Sequence, residues 1–486
     1  MSNWQRREFF MQRVGHWING TLRPATQSSS FEVRNPLDDS VYAIAARGDL
    51  SDVADAAGSA SEFAAEYARS TPSDREQWLI TAAGLLQQRA DAFSEVLIDE
   101  IGSSISKARM EIGIAVRNLT ATAAMARQVG GKIYPTDGIG RWSLGFRKPI
   151  GVVAGITPFN VPLIKGVKHS SMALATGNPF VWLPSDQAPV TASMLTQLYC
   201  DAGVPPNALQ LVLGHGVEIG DALVTDPRVA AVGFTGSHRV GRHVQRLCGE
   251  NGKRVTLELG GINPLVVWED ANMEAAVKAA LLGGFLYQGQ ICMASSRVIV
   301  HRSRHDEFVK RLCGAARGLP MGDLRDPTTV IGPIISEKQR QRIRELVADA
   351  TQKGARIFCG GRWHENKLEP TVLCGVTDDM RLHAEEVFGP VVTVSAADDF
   401  SDALSQANAT PFGLVASVFT ENLDLAMRFA DQIDAGMVHI NAMTIQQEPQ
   451  VPFGGNGESG FGREGLETGL DDMTQWKWVT LGPSNP

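Results

Sequence analysis

From Gly151 onward the chain adopts a pattern that few folds accommodate. Short apolar runs at 151–156, 179–183, 209–213 and 229–234 are each followed by an amphipathic stretch, at 162–176, 189–202, 217–225 and 238–249. Such strand–helix alternation predicts a parallel sheet with helices on both faces, because neighbouring parallel strands need a crossover between them. A second α/β series starts at Leu265, Val266, Val267 and Trp268, passes through a helix at 273–286 and continues beyond 390. The first 130 residues read as mostly helical. Ala- and Leu-rich segments at about 51–69, 74–98 and 103–129 carry helical spacing, and Gly130 with Gly131 stops the last of them. Segments at about 132–148 and 473–482 fit neither series, and alternation at Trp476, Trp478 and Thr480 suggests strands that pair with another subunit.

Composition narrows the function classes. A length of 486 residues allows two or three domains. A net charge of −8 gives no electrostatic reason for nucleic acid or an anionic membrane surface as partner. The apolar runs are far too short to span a bilayer. Residues 2–8 carry charges where an export signal needs an apolar core, so a cytoplasmic protein is expected. The six cysteines, Cys200, Cys248, Cys292, Cys313, Cys359 and Cys374, show no CxxC spacing and read as free thiols, with no metal site.

Three residues carry candidate chemistry. Cys292 follows a helix-to-loop signal, where a thiol that is reachable and deprotonated becomes a nucleophile. Beside Ile291 and Met293 it also reads as a small core residue. Glu258 stands between Leu257 and Leu259, just before Gly260 and Gly261. It is either a buried base with a raised pKa or a strand-end carboxylate in solvent. Asn160 closes the segment Thr157, Pro158, Phe159, at the carboxyl end of a predicted strand where α/β ligand sites form. Its amide suits an oxyanion donor, a turn or a helix cap equally.

Read together, these landmarks resemble the aldehyde dehydrogenase superfamily, from about Trp17 to near the C-terminus. Seven groups match in order: 157–160; 177–178; 234–237 with 240–241; 257–261; 285–297; 385–390; and 452–455 with 459–464. The resemblance, strongest toward the benzaldehyde, vanillin and salicylaldehyde branch, implies a Rossmann-type cofactor domain (1–130 and 149–256), an α/β catalytic domain (257–465) and a small β arm for oligomerisation (131–148 and 466–486). It implies that Cys292 attacks an aldehyde and that Asn160 stabilises the oxyanion. Hydride then leaves to NAD(P), and Glu258 activates the water that hydrolyses the thioester. Glu464 matches a second carboxylate near the nucleophile, although a surface Glu reads as well. The cofactor set it implies is Thr157, Pro158, Phe159, Leu183, Ser185, Asp186, Phe234, Gly236, Ser237, Leu259, Glu386 and Phe388. Gly236 and Ser237 offer a helix start to the pyrophosphate. Glu386 and Phe388 hold the nicotinamide side, or simply pack. The substrate-lining set is Val161, Ile164, Lys165, Lys168, Ile291 and Met293. The two lysines, three residues apart, face an anionic or phenolic ring substituent or plain solvent. A homodimer or homotetramer is implied.

The sequence also departs from the family pattern. Leu183 replaces the usual Lys and Asp186 the usual Glu at the adenosine ribose, which favours NAD over NADP, unless Arg239 or Arg242 reaches a 2′-phosphate. His169 takes the place of a Lys and either relays protons or is structural, and Gly457 stands where many members have Lys. Two other functions remain open: a CoA-acylating enzyme, against which Glu258 argues, and a catalytically silent protein on the same fold.

Overall fold

The computed structural model describes residues 12–482. The reading of residues 2–8, and the last four residues of the proposed arm, lie outside that range. The alternating pattern after Gly151 becomes an eight-stranded sheet. Its five parallel strands lie in the order Arg254–Glu258, Val229–Thr235, Val152–Thr157, Phe180–Pro184, Leu209–Leu211. The chain starts at Val152–Thr157, builds outward on one side, then returns to the other side at Val229–Thr235. That reversal is a topological switch point, and the crevice at the carboxyl ends of these two strands is where such sheets bind ligands.

The central strands are buried on both faces, as crossovers on both sides require. In Phe180–Pro184 the alternation is explicit. Phe180 and Trp182 enter the apolar layer shared with the helices at Pro72–Gln88 and Pro162–Ala175. Val181 and Leu183 enter the opposite layer, with Val152, Val232 and Leu257. The helices between start on local signals. Asp49 and Asp52 form a capping box for Leu50–Tyr67, and Thr71 and Asp74 form one for Pro72–Gln88.

A second sheet of seven strands runs from Pro264–Val267 to Met437–Ile440, parallel except for the edge strand Arg356–Cys359. The arm is a three-stranded antiparallel sheet with Trp142–Pro149 between Gly131–Tyr134 and Thr474–Leu481.

Four sequence expectations change. The span 74–98 is two helices, Pro72–Gln88 and Ala90–Ile101, broken where Arg89 leaves the helical region and pairs with Asp201. Residues 12–46 hold five strands, not helix. They are too short to show a period, and one of them, His16–Ile18, finds its partner at Leu209–Leu211, remote in sequence. Sheet membership also blurs the boundary at 257: Gly460–Phe461 returns to pair with Arg254–Glu258 at the edge of the first sheet. Finally, residues 466–472 form a helix whose Leu470 packs on Met172, so the arm strand begins only at Thr474.

Candidate active site

Cys292 is presented by a strained loop between the Met273–Phe285 helix and the Arg297–His301 strand. Tyr287 and Gln288 both adopt positive φ, 49° and 47°, as does Gly289 at 66°. A side chain at Gly289 would strike the Gly389 carbonyl, so only glycine fits there. Buried polar groups hold the loop. Tyr287 donates to the Ile101 carbonyl at 2.7 Å, and Gln288 bridges Gly332 and Pro333. Asn263 donates to the carbonyls of Cys292 and Ala294, each at 2.8 Å. Asn160, buried at the start of the next segment, donates to the Gln290 carbonyl at 2.9 Å. Its amide therefore lies against the nucleophile loop with a second N–H in hand.

Glu258 ends its strand 3 % exposed, and neither carboxylate oxygen has a hydrogen-bond partner. A β-carbon at Gly454 would come within 2.6 Å of its Oε1, so that glycine keeps the space open. Burial raises the Glu258 carboxyl to about 8, against the pull of the Lys165 ammonium. Burial likewise pushes the Cys292 thiol up to about 11, and Lys165 is again the main opposing charge.

Lys165 and Lys168 are the larger surprise. Lys165 is buried and Lys168 mostly covered, and both bind Glu464. Lys165 Nζ lies 2.8 Å from each oxygen, and Lys168 Nζ lies 3.0 Å from one. His169 Nε2 sits 3.4 Å from Glu464 and 3.1 Å from Thr235 Oγ1. Burial alone would raise the Glu464 pKa, but the two ammoniums hold it well below the ordinary carboxylate range. The expectation that these lysines offer free charge to a substrate is therefore corrected: their partner is inside the protein. Glu464 is a largely covered ion, its side chain 11 % exposed. His169 packs against Gly233, where any side chain would collide with its ring.

At the switch point, the helix His238–Glu250 begins after Ser237, whose side chain makes no capping bond, leaving the first-turn N–H groups for a ligand. Gly241 brings that helix against Leu259. Glu386 accepts from the Gly261 N–H at 3.2 Å, and its carboxyl is raised by burial to about 7. Phe388, at φ 48°, meets the Phe159 ring edge-on at 6.0 Å between centroids. Asp186 lies past the end of the second strand, beside Ser185, and accepts from His215 Nδ1 at 2.7 Å. This is the layout of a dinucleotide crevice.

A model of the aldehyde dehydrogenase family matches residues 23–479. The chain belongs to the aldehyde dehydrogenase family. Among its relatives is a vanillin dehydrogenase of Corynebacterium glutamicum, 38 % identical over 96 % of both chains. A benzaldehyde dehydrogenase of Bacillus subtilis is 34 % identical, again over 96 % of both. Among solved structures, a salicylaldehyde dehydrogenase from Pseudomonas putida in complex with salicylaldehyde superposes with a TM-score of 0.94, at 33 % identity, covering 98 % of this chain and 99 % of that one. A betaine aldehyde dehydrogenase from Staphylococcus aureus, in complex with NAD+, gives 0.94 at 30 % identity, covering 97 % and 95 %.

In this aldehyde dehydrogenase the α/β fold and the class of chemistry, an oxidoreductase acting on aldehydes, agree with the sequence reading. Several predicted contacts change. Leu183 is 1 % exposed, its side chain in the apolar layer. Phe234 and Leu259 belong to that same layer. Arg242 pairs with Glu458 at 2.9 Å instead of standing free for a phosphate. Gly457 has φ 55° and its missing side chain would meet the Pro411 carbonyl at 2.6 Å, so a Lys would be strained there. Val161, Pro158 and Phe159 are half-buried near the crevice, whereas Ile164 is buried. Ile291, Met293 and Phe159 pack in one cluster with Cys292.

Supporting residues escaped the sequence reading. Lys107 donates to the Asn160 carbonyl at 2.7 Å and pairs with Glu111, which accepts from the N–H groups of Leu163 and Ile164. That pair caps the helix carrying the lysines. Its signal was an i, i+4 charge pair on a face otherwise formed by Ala108, Ile112 and Ala115. Among the described residues no group of metal ligands occurs, and no helix is long and apolar enough to cross a membrane.

Proposed function

We propose that this chain oxidises aromatic aldehydes to carboxylic acids with NAD, through a thioester on Cys292. The observation that carries the reading is the buried, unpartnered Glu258 carboxyl in one electrostatic cluster with the Cys292 thiol, beside a loop held by Asn160. A group desolvated without a partner is costly, and active sites are where such groups occur.

The crevice suits the cofactor. The open first turn of His238–Glu250 suits a pyrophosphate, and Asp186 suits a ribose hydroxyl. Glu386 and Phe388 would hold the nicotinamide end. When bound, NAD supplies the acceptor for the hydride that leaves the substrate carbon. Cys292 attacks as thiolate, favoured by the Lys165 ammonium, its thiol proton passing to solvent as the sulfur bonds to the aldehyde carbon. The free Asn160 N–H and the Cys292 backbone N–H face the resulting oxyanion. After oxidation to the thioester, Glu258 takes a proton from the attacking water, the carbon–sulfur bond breaks and Cys292 is regenerated.

Two features support an aromatic substrate: the relatives that act on vanillin, benzaldehyde and salicylaldehyde, and the apolar Phe159, Ile291, Met293 and Ile445, which belong to the same hydrophobic cluster as Cys292. Lys165 and Lys168 serve charge balance around Glu464 and Glu258, not the ring substituent. NAD is favoured over NADP because Asp186 repels a 2′-phosphate and Leu183 offers no cation. The arm exposes Ile133 and Trp478, 68 % and 72 % accessible, a pattern that supports a homo-oligomer. A cytoplasmic setting accords with six free thiols.

The test is a specificity panel, run with and without CoA. Higher kcat/KM for benzaldehydes than for medium-chain aliphatic aldehydes, independent of CoA, is expected. A strict need for CoA, or an aliphatic preference, would overturn it.

A further inference from the structure

His215 stands out among polar residues that the catalytic account leaves unused. It follows the third strand, Leu209–Leu211, while Asp186 follows the adjacent second strand, Phe180–Pro184. Both therefore lie on the carboxyl edge of the sheet, in line with Thr157 at the end of the first strand. His215 occupies the cap position of the Gly216–Thr225 helix but makes no capping bond with its side chain. Its Nδ1–H instead donates to Asp186 Oδ2 at 2.7 Å. The ring also lies against Phe31, 4.8 Å between centroids, on a partly exposed edge of the sheet. The other oxygen, Asp186 Oδ1, receives only a long contact from the Gln187 amide at 3.4 Å.

We infer that His215 is the positioning residue that makes this site selective for NAD: it pins Asp186 so that Oδ1 faces the adenosine ribose. The inference rests on the NAD reading above. A carboxylate at the end of the second strand accepts from the ribose 2′-hydroxyl, and a 2′-phosphate in the same place meets its negative charge. A pinned carboxylate loses less rotational freedom on binding than a loose one. Arg47 Nε pairs with Glu218, on the helix that follows His215, at 2.9 Å, and the His215 ring is turned to Asp186. While Asp186 is present, His215 is denied to a phosphate. Once Asp186 is removed, the imidazole and the start of the Gly216–Thr225 helix face the position a 2′-phosphate would take.

The experiment is direct binding of NAD and NADP to the enzyme without aldehyde, by titration calorimetry, alongside steady-state kinetics. His215→Ala is expected to weaken NAD about tenfold without improving NADP, with the effect on KM for NAD rather than on kcat. His215→Asn, whose amide still donates to Asp186, recovers most of the affinity. Asp186→Ser shifts preference toward NADP, and that gain disappears in the Asp186→Ser, His215→Ala double variant. Unchanged NAD affinity in His215→Ala, or an NADP gain in Asp186→Ser that survives loss of the imidazole, overturns the inference. A wild-type enzyme binding both cofactors equally would instead overturn the NAD reading beneath it.

Discussion

Lys165 closes on Glu464 with 2.8 Å to each carboxylate oxygen, inside the protein and beside a Glu258 that has no partner at all. The two carboxyls thus have opposite fates. Glu464 stays ionised as the counter-ion of two ammoniums, while Glu258 is raised to about 8 and free to exchange a proton. Environments that push two carboxyls apart divide their roles.

The first consequence concerns stability. Glu464→Gln leaves Lys165 and Lys168 buried without their counter-charge, and removing one partner of a buried pair costs about 3–5 kcal/mol. Urea unfolding should show that loss. A variant as stable as the wild type would mean that the ion cluster is solvated in solution.

The pH profile follows from Glu258. A base acts only when deprotonated, so turnover should climb as pH rises through about 8 and fall away below it. Lys165 favours the ionised forms of both Glu258 and Cys292. Lys165→Met should therefore move the limb upward, by roughly one unit or more. A limb that stays in place would remove Lys165 from the electrostatics of the site.

Asn160 bears on the first chemical step. Asn160→Ala should lower the rate of the NADH burst about 10²–10³-fold, the usual worth of one oxyanion donor. The fold should persist if the Gln290 carbonyl finds water. A normal burst with only slow steady-state turnover would reassign Asn160 to hydrolysis.

The parallel sheets were legible because each strand is a short apolar run between amphipathic helices, and the switch point follows from their order. Cys292, Glu258 and Asn160 were legible only as a set, since each alone has an ordinary structural reading. What stayed hidden depends on contacts distant in sequence. Glu464 reads equally as a second carboxylate near the nucleophile or a surface residue until its segment folds back on Lys165, 299 positions away. The lysines looked solvated because helical spacing gives a face without saying what covers it. Leu183 looked like a lost ligand, yet it alternates with Trp182 into a core layer that needs an apolar residue. His215 has no local motif, because its partner follows the neighbouring strand, 29 positions away in sequence.

The most direct test of the central claim is the mass of the Cys292 peptide in Glu258→Gln enzyme, acid-quenched after mixing with NAD and benzaldehyde. With the base removed, hydrolysis should slow by about 10²–10⁴-fold, so acyl-enzyme accumulates. The account predicts one benzoyl group on Cys292 per active site, formed together with a stoichiometric burst of NADH, and none in the Cys292→Ala, Glu258→Gln double variant. A burst with no acyl group on Cys292, or an acyl group on any of the other five cysteines instead, would contradict it.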